Sequence, residues 1–488
     1  MKVSMSSFLI NHKPVLKKIV SILSENYKYV SILGTDTKGK LHNVQRTGID
    51  LCDSFWAERG FVIRVHNGVN YSEFSFNEID ANSLSSIVDE IHLKMAKTLE
   101  TLKEASIIVN SYDLIEEALI KQQFLGEVIA LPSTLTSKEK IEKMCFIKDT
   151  ALSLSDLIVD FRVAYHEVHV SKIFISNSKE LEQSYIWSEG YLVSIVRRDG
   201  NTKYAHSSFS GLKAVELLDE MKDNIEKVVD TSIKLLDAKS VTPGEYEVIC
   251  SPEISGLIAH EAFGHGVEMD MFVKKRAKAL EYLGKSVASE LVTMHDGAAS
   301  ANNMSSYLFD DEGVLGTDTI VIENGVLKTG ISDILSALKL GTNPTGNGKR
   351  QSFERKAYAR MTNTFFTAGK DTLEDMIASI KFGYLLDGTM SGMEDPKNWG
   401  IQCMILQGKE IKDGKFTGVV VSPVIMTGYV PDVLESVSML SETVELSGSG
   451  ACGKVLWVIP ICSTHVKNIC SKPLQKIPEV FYNKMPPA

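Results

Sequence analysis

Residues 252–268 read PEISGLIAHEAFGHGVE and contain His260-Glu261-x-x-x-His265. Imidazoles are good zinc ligands, and a carboxylate beside one of them can take a proton from a water that zinc acidifies. In the familiar H-E-x-x-H helix the two histidines are four residues apart and share a face. Here they are five apart. At ~100° per residue, a regular helix would separate them by about 140°. Both reach one metal only if the helix widens or ends between them. Gly264 and Gly266 flank His265 and are expected to permit this, because glycine ends helices and accepts unusual φ. The bland alternative is two histidines at a helix end, one facing the dipole and one in the core.

A catalytic zinc needs a third protein ligand and an open position. Outside the helix the candidates are His295, Cys452, Cys462 and His465. Cys452 lies in GSGACG (448–453), where flanking glycines let the backbone approach a site and a thiolate would bind zinc strongly. An isolated cysteine is more commonly a small buried residue. Cys452 paired with a histidine base could also be a nucleophile. Lys349, Arg350, Arg355, Lys356 and Arg360 could grip a peptide carboxylate or form a solvated basic loop. Gly448-x-Gly450-x-x-Gly453 matches a dinucleotide fingerprint only formally, because a strand-like run follows it and no acid lies about 20 positions on. His166-x-x-His169 makes a poor ligand pair, since on a strand the two point to opposite faces.

The elements that must position these residues can be read from periodicity. Tyr246, Val248 and Cys250 alternate like a strand that enters Ser251 as N-cap and Pro252 as first helical residue. Upstream, Val15 to Leu23 forms a helical face with Pro14 near its start, Leu84 to Leu102 a longer helix, and 137–157 a third. An amphipathic helix spans about 211–236, with Ser210 as its N-cap and Leu218, Met221, Ile225, Val228 and Leu235 inward. Asn67-Gly68 signals a turn that closes the strand-like run Phe61 to Val65, and Asp199-Gly200, Asn324-Gly325 and Asp413-Gly414 signal hairpins. Residues 1–235 hold 9 glycines and 236–488 hold 25, so tight turns concentrate in the second half. DAKSVTPG (237–244) reads as a linker. The expected architecture is α+β. An N-terminal α/β domain, 1–236, packs helices on antiparallel strands and serves assembly or gating. A C-terminal, mainly antiparallel β domain, 245–488, carries the H-E-x-x-x-H helix. The aperiodic stretch 341–363 is either a functional loop or a mobile surface loop.

Composition excludes several classes. The chain has 488 residues, is 44% apolar and 23% charged, and carries a formal net charge of −10. That is a globular composition without the basic footprint that nucleic acid requires. Seven cysteines without a C-x-x-C pair argue against a disulfide framework and for a reducing cytosol. No apolar run is long enough to span a membrane, and the start of the chain is a poor signal peptide.

The sequence resembles the TldD/PmbA metallopeptidases, once labelled modulators of DNA gyrase. The matching segments, in order, are HEAFGHGVE (260–268), GKSVASELVT (284–293), DDEGV (310–314), IENGVLK (322–328), PTGNGKR (344–350), RMTNTF (360–365) and GACGK (450–454). The resemblance implies a zinc peptidase in which His260, His265 and Cys452 hold Zn2+ and Glu261 is the general base. Keeping both histidines and the glutamate places the chain with the TldD branch, since the TldE/PmbA branch lacks the motif. It further implies unfolded or short peptides as substrates, and a TldE-like subunit or a second copy as partner. His295-Asp296-Gly297 departs from the paired acids of relatives, and the apolar run after Lys454 departs from their polar, glycine-rich one.

Overall fold

A computed structural model describes residues 1–104, 111–445, 451–454, 457–460, 462–463, 465–466 and 469–471. The architecture is α+β with largely antiparallel sheets.

The first half is built on an eight-stranded sheet. Its central path runs Tyr71–Phe76, Glu58–His66, Val30–Gln45, Ile158–Ser176, Lys179–Arg198, Ile120–Leu125. Gly48–Asp53 pairs with Val30–Gln45, and Asn201–Gly211 with Lys179–Arg198. Only Ile120–Leu125 joins in parallel. The first eight residues of Val30–Gln45 and the last seven of Glu58–His66 are buried without a break, so this part of the sheet is covered on both faces. Helices Ser7–Ser24 and Leu84–Glu104 bury Leu9, Leu16, Ile19, Ile87 and Ile91 against Ile32, Phe61 and Ile63. Helices Ser137–Ser153 and Ile225–Leu235 cover Phe161, Val163 and Leu192 in a separate core.

Two sequence expectations shift here. Pro14 lies inside the first helix, which begins at Ser7; the helix extends upstream because Leu9 continues its buried stripe. The helix expected over 211–236 is two, Leu217–Lys222 and Ile225–Leu235, broken at Asp223-Asn224. Ser210 is not its N-cap but a strand residue opposite Glu189. The five apolar residues assigned inward are all buried. Side chains of Leu99 and Leu102 lie outside the described residues.

In the second half, a seven-stranded sheet places Glu247–Cys250 parallel to Phe382–Asp395 and antiparallel to Ile469–Ser471. A five-stranded sheet contains Met294–Gly297 beside Asn363–Phe366. The large core between them includes Ile254, Ile258, Phe263, Phe272, Met294 and Trp399. All three expected hairpins form, and Asn67-Gly68 lies in the turn between Glu58–His66 and Tyr71–Phe76. Asp199-Gly200, Asn324-Gly325 and Asp413-Gly414 are two-residue turns with positive φ at both positions, the geometry that matches strand twist. The stretch 341–363 is buried at Asn347, Arg360, Thr362 and Asn363 and exposed at 341–343 and 354–356.

Candidate metal centre

The strand Glu247–Cys250 ends at Ser251, and Pro252 opens the helix Pro252–Ile258. Ser251 occupies the N-cap position without making a side-chain cap bond. At Ala259 the helix changes type. Ala259–Gly264 is a π-helix, and the His265 N–H bonds to the His260 carbonyl, five residues back. Five steps of this wider spiral complete roughly one turn, so His260 and His265 return to the same face. Their ring centroids are 4.8 Å apart, nearly perpendicular. The two glycines do not act through unusual φ, as the sequence suggested, since Gly264 is right-handed helical. Space explains Gly264: a Cβ there would lie 2.0 Å from Met361 Sδ.

Cys452 comes from a distant hairpin, Ala451–Lys454 paired with Trp457–Pro460. Its Sγ is 3.0 Å from His265 Nε2. The ligand atoms of His260, His265 and Cys452 all lie within 4.8 Å of one another, the one such His/Cys/Asp/Glu group among the described residues. The alternatives do not converge on it. His295 turns to Asp318, 2.7 Å away, and stacks on Phe365. The side chains of Cys462 and His465, and Gly448 to Gly450, lie outside the described residues.

Two imidazoles and one thiolate make a donor set that suits zinc. The electrostatics also suit a cation. Burial disfavours a charged imidazole, yet Cys452 and Glu268 overcome it and raise His265 to about 10. Glu268 Oε2 is 3.8 Å from His265 Nδ1. Arg360 Nη1 donates to the other Glu268 oxygen at 2.8 Å, and its Nη2 to the Cys452 carbonyl at 3.0 Å. One guanidinium thus ties the helix side of the site to the cysteine strand. Arg360 is itself placed by Asn347, whose carbonyl takes the Arg360 N–H at 2.9 Å. Asn347 Nδ2 donates to Asp296 at 2.7 Å, and Asp296 also accepts from the Thr362 N–H. The packed 341–363 stretch therefore delivers Arg360. Arg350 bonds Glu73, so it and Arg360 are already committed and do not form the peptide grip considered from sequence. Lys349 Nζ stands 3.9 Å over the Tyr307 ring.

Glu261 flanks His260, with 3.9 Å between its Oε1 and Nε2. Burial pushes its carboxyl up, and His265 pulls it down. Gly392 packs directly on it: a Cβ there would be 2.4 Å from Glu261 Cγ. Glu394, two residues on, is a further acid beside the site. Burial drives it well above the usual range, against the pull of His265 and a backbone hydrogen bond from Gly266. Sequence reasoning missed Glu268, Glu394 and Gly392. Glu268 had a signal, since it follows His265 by three residues within a matching segment; the other two sit on a strand with no local cue.

Residues 243–458 match the model of the PmbA/TldA metallopeptidase C-terminal domain. A metalloprotease of Methanocaldococcus jannaschii is 28% identical over 82% of this chain and 87% of its own length. A zinc metalloprotease TldD homolog of Saccharolobus solfataricus is 27% identical over 65% of this chain and 71% of its own. The solved structure of TldE from Thermococcus kodakarensis superposes with a TM-score of 0.70 at 18% identity, covering 94% of this chain and 100% of that one. At that identity the likeness is one of fold.

Proposed function

This chain is a member of the TldD/PmbA metallopeptidase family, and from that premise we propose that it is a zinc-dependent peptidase of the TldD branch, hydrolysing unfolded or short peptides. The observation that carries the reading is the convergence of His260, His265 and Cys452 beside Glu261. When bound, zinc polarises a carbonyl and lowers the pKa of water from about 16 to near 7. Glu261 takes the proton of the attacking water on its carboxylate and returns it to the departing amine. Its raised proton affinity suits both halves of that exchange. Glu268 orients His265 through Nδ1, as outer partners of histidine ligands do, and Arg360 holds Glu268. A TldE-like subunit or a second copy would complete the enclosure of the site. No described helix is long and apolar enough to cross a membrane, and the cytoplasm is the proposed compartment.

The test is metal counting with peptide hydrolysis. Glu261→Gln is expected to keep zinc and lose activity; full activity in that variant sinks the assignment. Cys452→Ser and His265→Ala are expected to lose zinc. One observation supports a second reading, a cysteine peptidase: the 3.0 Å Cys452–His265 contact resembles a thiol–imidazole pair. Phenanthroline separates them, since it abolishes the zinc enzyme and spares the thiol enzyme.

A further inference from the structure

Far along the chain from the metal centre, the N-terminal sheet assembles a serine, a histidine and a carboxylate in line. His166 on the strand Ile158–Ser176 sits directly opposite Glu189 on Lys179–Arg198. Glu189 Oε1 is 3.0 Å from His166 Nδ1. On the other side of the ring, His166 Nε2 is 2.7 Å from Ser54 Oγ. A carboxylate can only accept, so it takes the Nδ1 proton. The neutral ring then presents a bare lone pair at Nε2, and the Ser54 hydroxyl donates to it. That is the division of roles in a nucleophile–base–orienter triad, which geometry rather than sequence position defines.

The surroundings are built for this arrangement. Ser54 opens a tight turn in which the Ala57 N–H bonds to the Ser54 carbonyl and the Trp56 N–H to Ser54 Oγ at 3.1 Å. The Phe55 N–H makes no hydrogen bond among the described residues. It belongs to the residue after the serine, the position that supplies an oxyanion donor in α/β-hydrolases. The turn can close on His166 because Gly39 lies beneath it: a Cβ there would be 2.4 Å from the Glu167 carbonyl and 2.9 Å from Ser54 Cβ. Phe55 is 66% exposed, so the turn reaches the surface at that residue, with Ser54 and His166 buried beneath it. Phe55 and Trp187 flank the imidazole, with ring centroids at 5.7 and 5.3 Å. The second carboxylate oxygen of Glu189 accepts from Tyr191.

We propose that Ser54, His166 and Glu189 form a second, metal-independent hydrolytic site that cleaves carboxylic esters with an apolar acyl group. The Ser54 oxygen bonds to the acyl carbon as its proton passes to His166 Nε2. The C–O bond to the alcohol breaks, and the alcohol leaves with that proton. Water then gives a proton to His166, its oxygen bonds to the acyl carbon, and Ser54 Oγ departs and recovers the proton, releasing the acid. The exposed Phe55 ring and the partly buried Trp56, with Trp187 buried beside the imidazole, account for an apolar acyl preference. Ser54 and His166 are the catalytic residues, and Glu189 is a positioning residue.

The experiment uses the full chain with phenanthroline present, so that the metal centre is silent. A fluorophosphonate probe is applied to the wild-type protein and the adduct is located by mass spectrometry. Hydrolysis of p-nitrophenyl butyrate is followed in parallel. The expected results are an adduct on Ser54, abolition of ester hydrolysis in Ser54→Ala, and a loss of about 10²–10⁴-fold in His166→Gln. Glu189→Gln should slow hydrolysis and alter its pH profile, and Glu189→Asp should restore part of both. The proposal is overturned if the wild-type chain carries no adduct on Ser54, a result independent of how any variant folds. It is equally overturned if Ser54→Ala hydrolyses the ester at the wild-type rate.

Discussion

At the proposed metal centre, single atoms decide which residues can be replaced. Arg360 is 1% exposed and neutralises Glu268 while bonding the Cys452 carbonyl. Removing one partner of a buried ion pair leaves an uncompensated charge and costs ~3–5 kcal/mol. Arg360→Met is therefore expected to lower stability by about that amount in a denaturant titration. It should also reduce zinc retention, because Cys452 loses its tether. A preserved melting temperature would show that Glu268 finds another partner. Gly392→Ala addresses Glu261 without touching any proposed ligand. The added methyl would lie 2.4 Å from Glu261 Cγ, so the Glu261 side chain must move by about an ångström. Misplacement on that scale costs about a hundredfold in turnover. The expected outcome is normal zinc content with kcat down by that factor; unchanged kcat would remove Glu261 from the chemistry.

The helix that carries the motif has a titration of its own. Glu253 stands in its first turn, and burial, reinforced by Asp387, raises its carboxyl to about 7. A raised carboxyl binds its proton more tightly when folded than unfolded. Its contribution is thus fully present below about pH 4 and is lost as pH rises through about 7. The melting temperature of the wild-type chain should fall across that window by a few °C through this group. Glu253→Gln should flatten the dependence, which a pH series of melting curves for both proteins would show. The same element shows how local sequence can mislead. H-E-x-x-x-H is incompatible with a regular α-helix around one ion, and the widening to i→i+5 at Ala259–Gly264 makes it compatible. Such π turns occur often at functional sites.

Across the whole molecule, the two halves meet through buried charge. Arg64, from the strand Glu58–His66, bonds Glu73 and also Glu312 of the second half. Arg350 of the second half returns to Glu73, and Lys172 reaches Asp311. Phe309 packs among Leu33, Val62 and Phe174. The three largest cores stay within one half each, Met5 to Ile175 and Val44 to Leu236 on one side and Val248 to Leu440 on the other, while smaller apolar clusters such as Val168, Val170 and Trp187 with Ala298, Met304 and Tyr307 span both. We propose that 1–236 and 245–488 are separate cooperative units coupled by this belt. Arg64→Met strands both glutamates, and calorimetry should then resolve two transitions where the wild type shows one. A single transition in the variant would refute the division. Buried pairs are screened little, so the wild-type coupling should persist at high salt.

The His260–His265 pair, its neighbour Glu261 and the hairpins were legible in the chain because each depends on neighbours a few residues apart. Residue type and spacing alone set what His260, Glu261 and His265 could do, and turn chemistry alone placed Asp199-Gly200 and Asn324-Gly325. The family segments added Cys452 to the set. What spacing could not reveal was how the five-residue gap would be accommodated, because a π turn is held by packing: Gly264 lies against Met361, nearly a hundred positions away. Nor could it select among His295, Cys452, Cys462 and His465, since convergence on one point depends on which distant strands meet. Arg360 read as part of a basic loop. Only the fold, by burying it beside Glu268 and the Cys452 carbonyl, turned a surface charge into the tie across the site. The Ser54–His166–Glu189 line was invisible for the same reason: its members span 136 positions and become neighbours only through strand register.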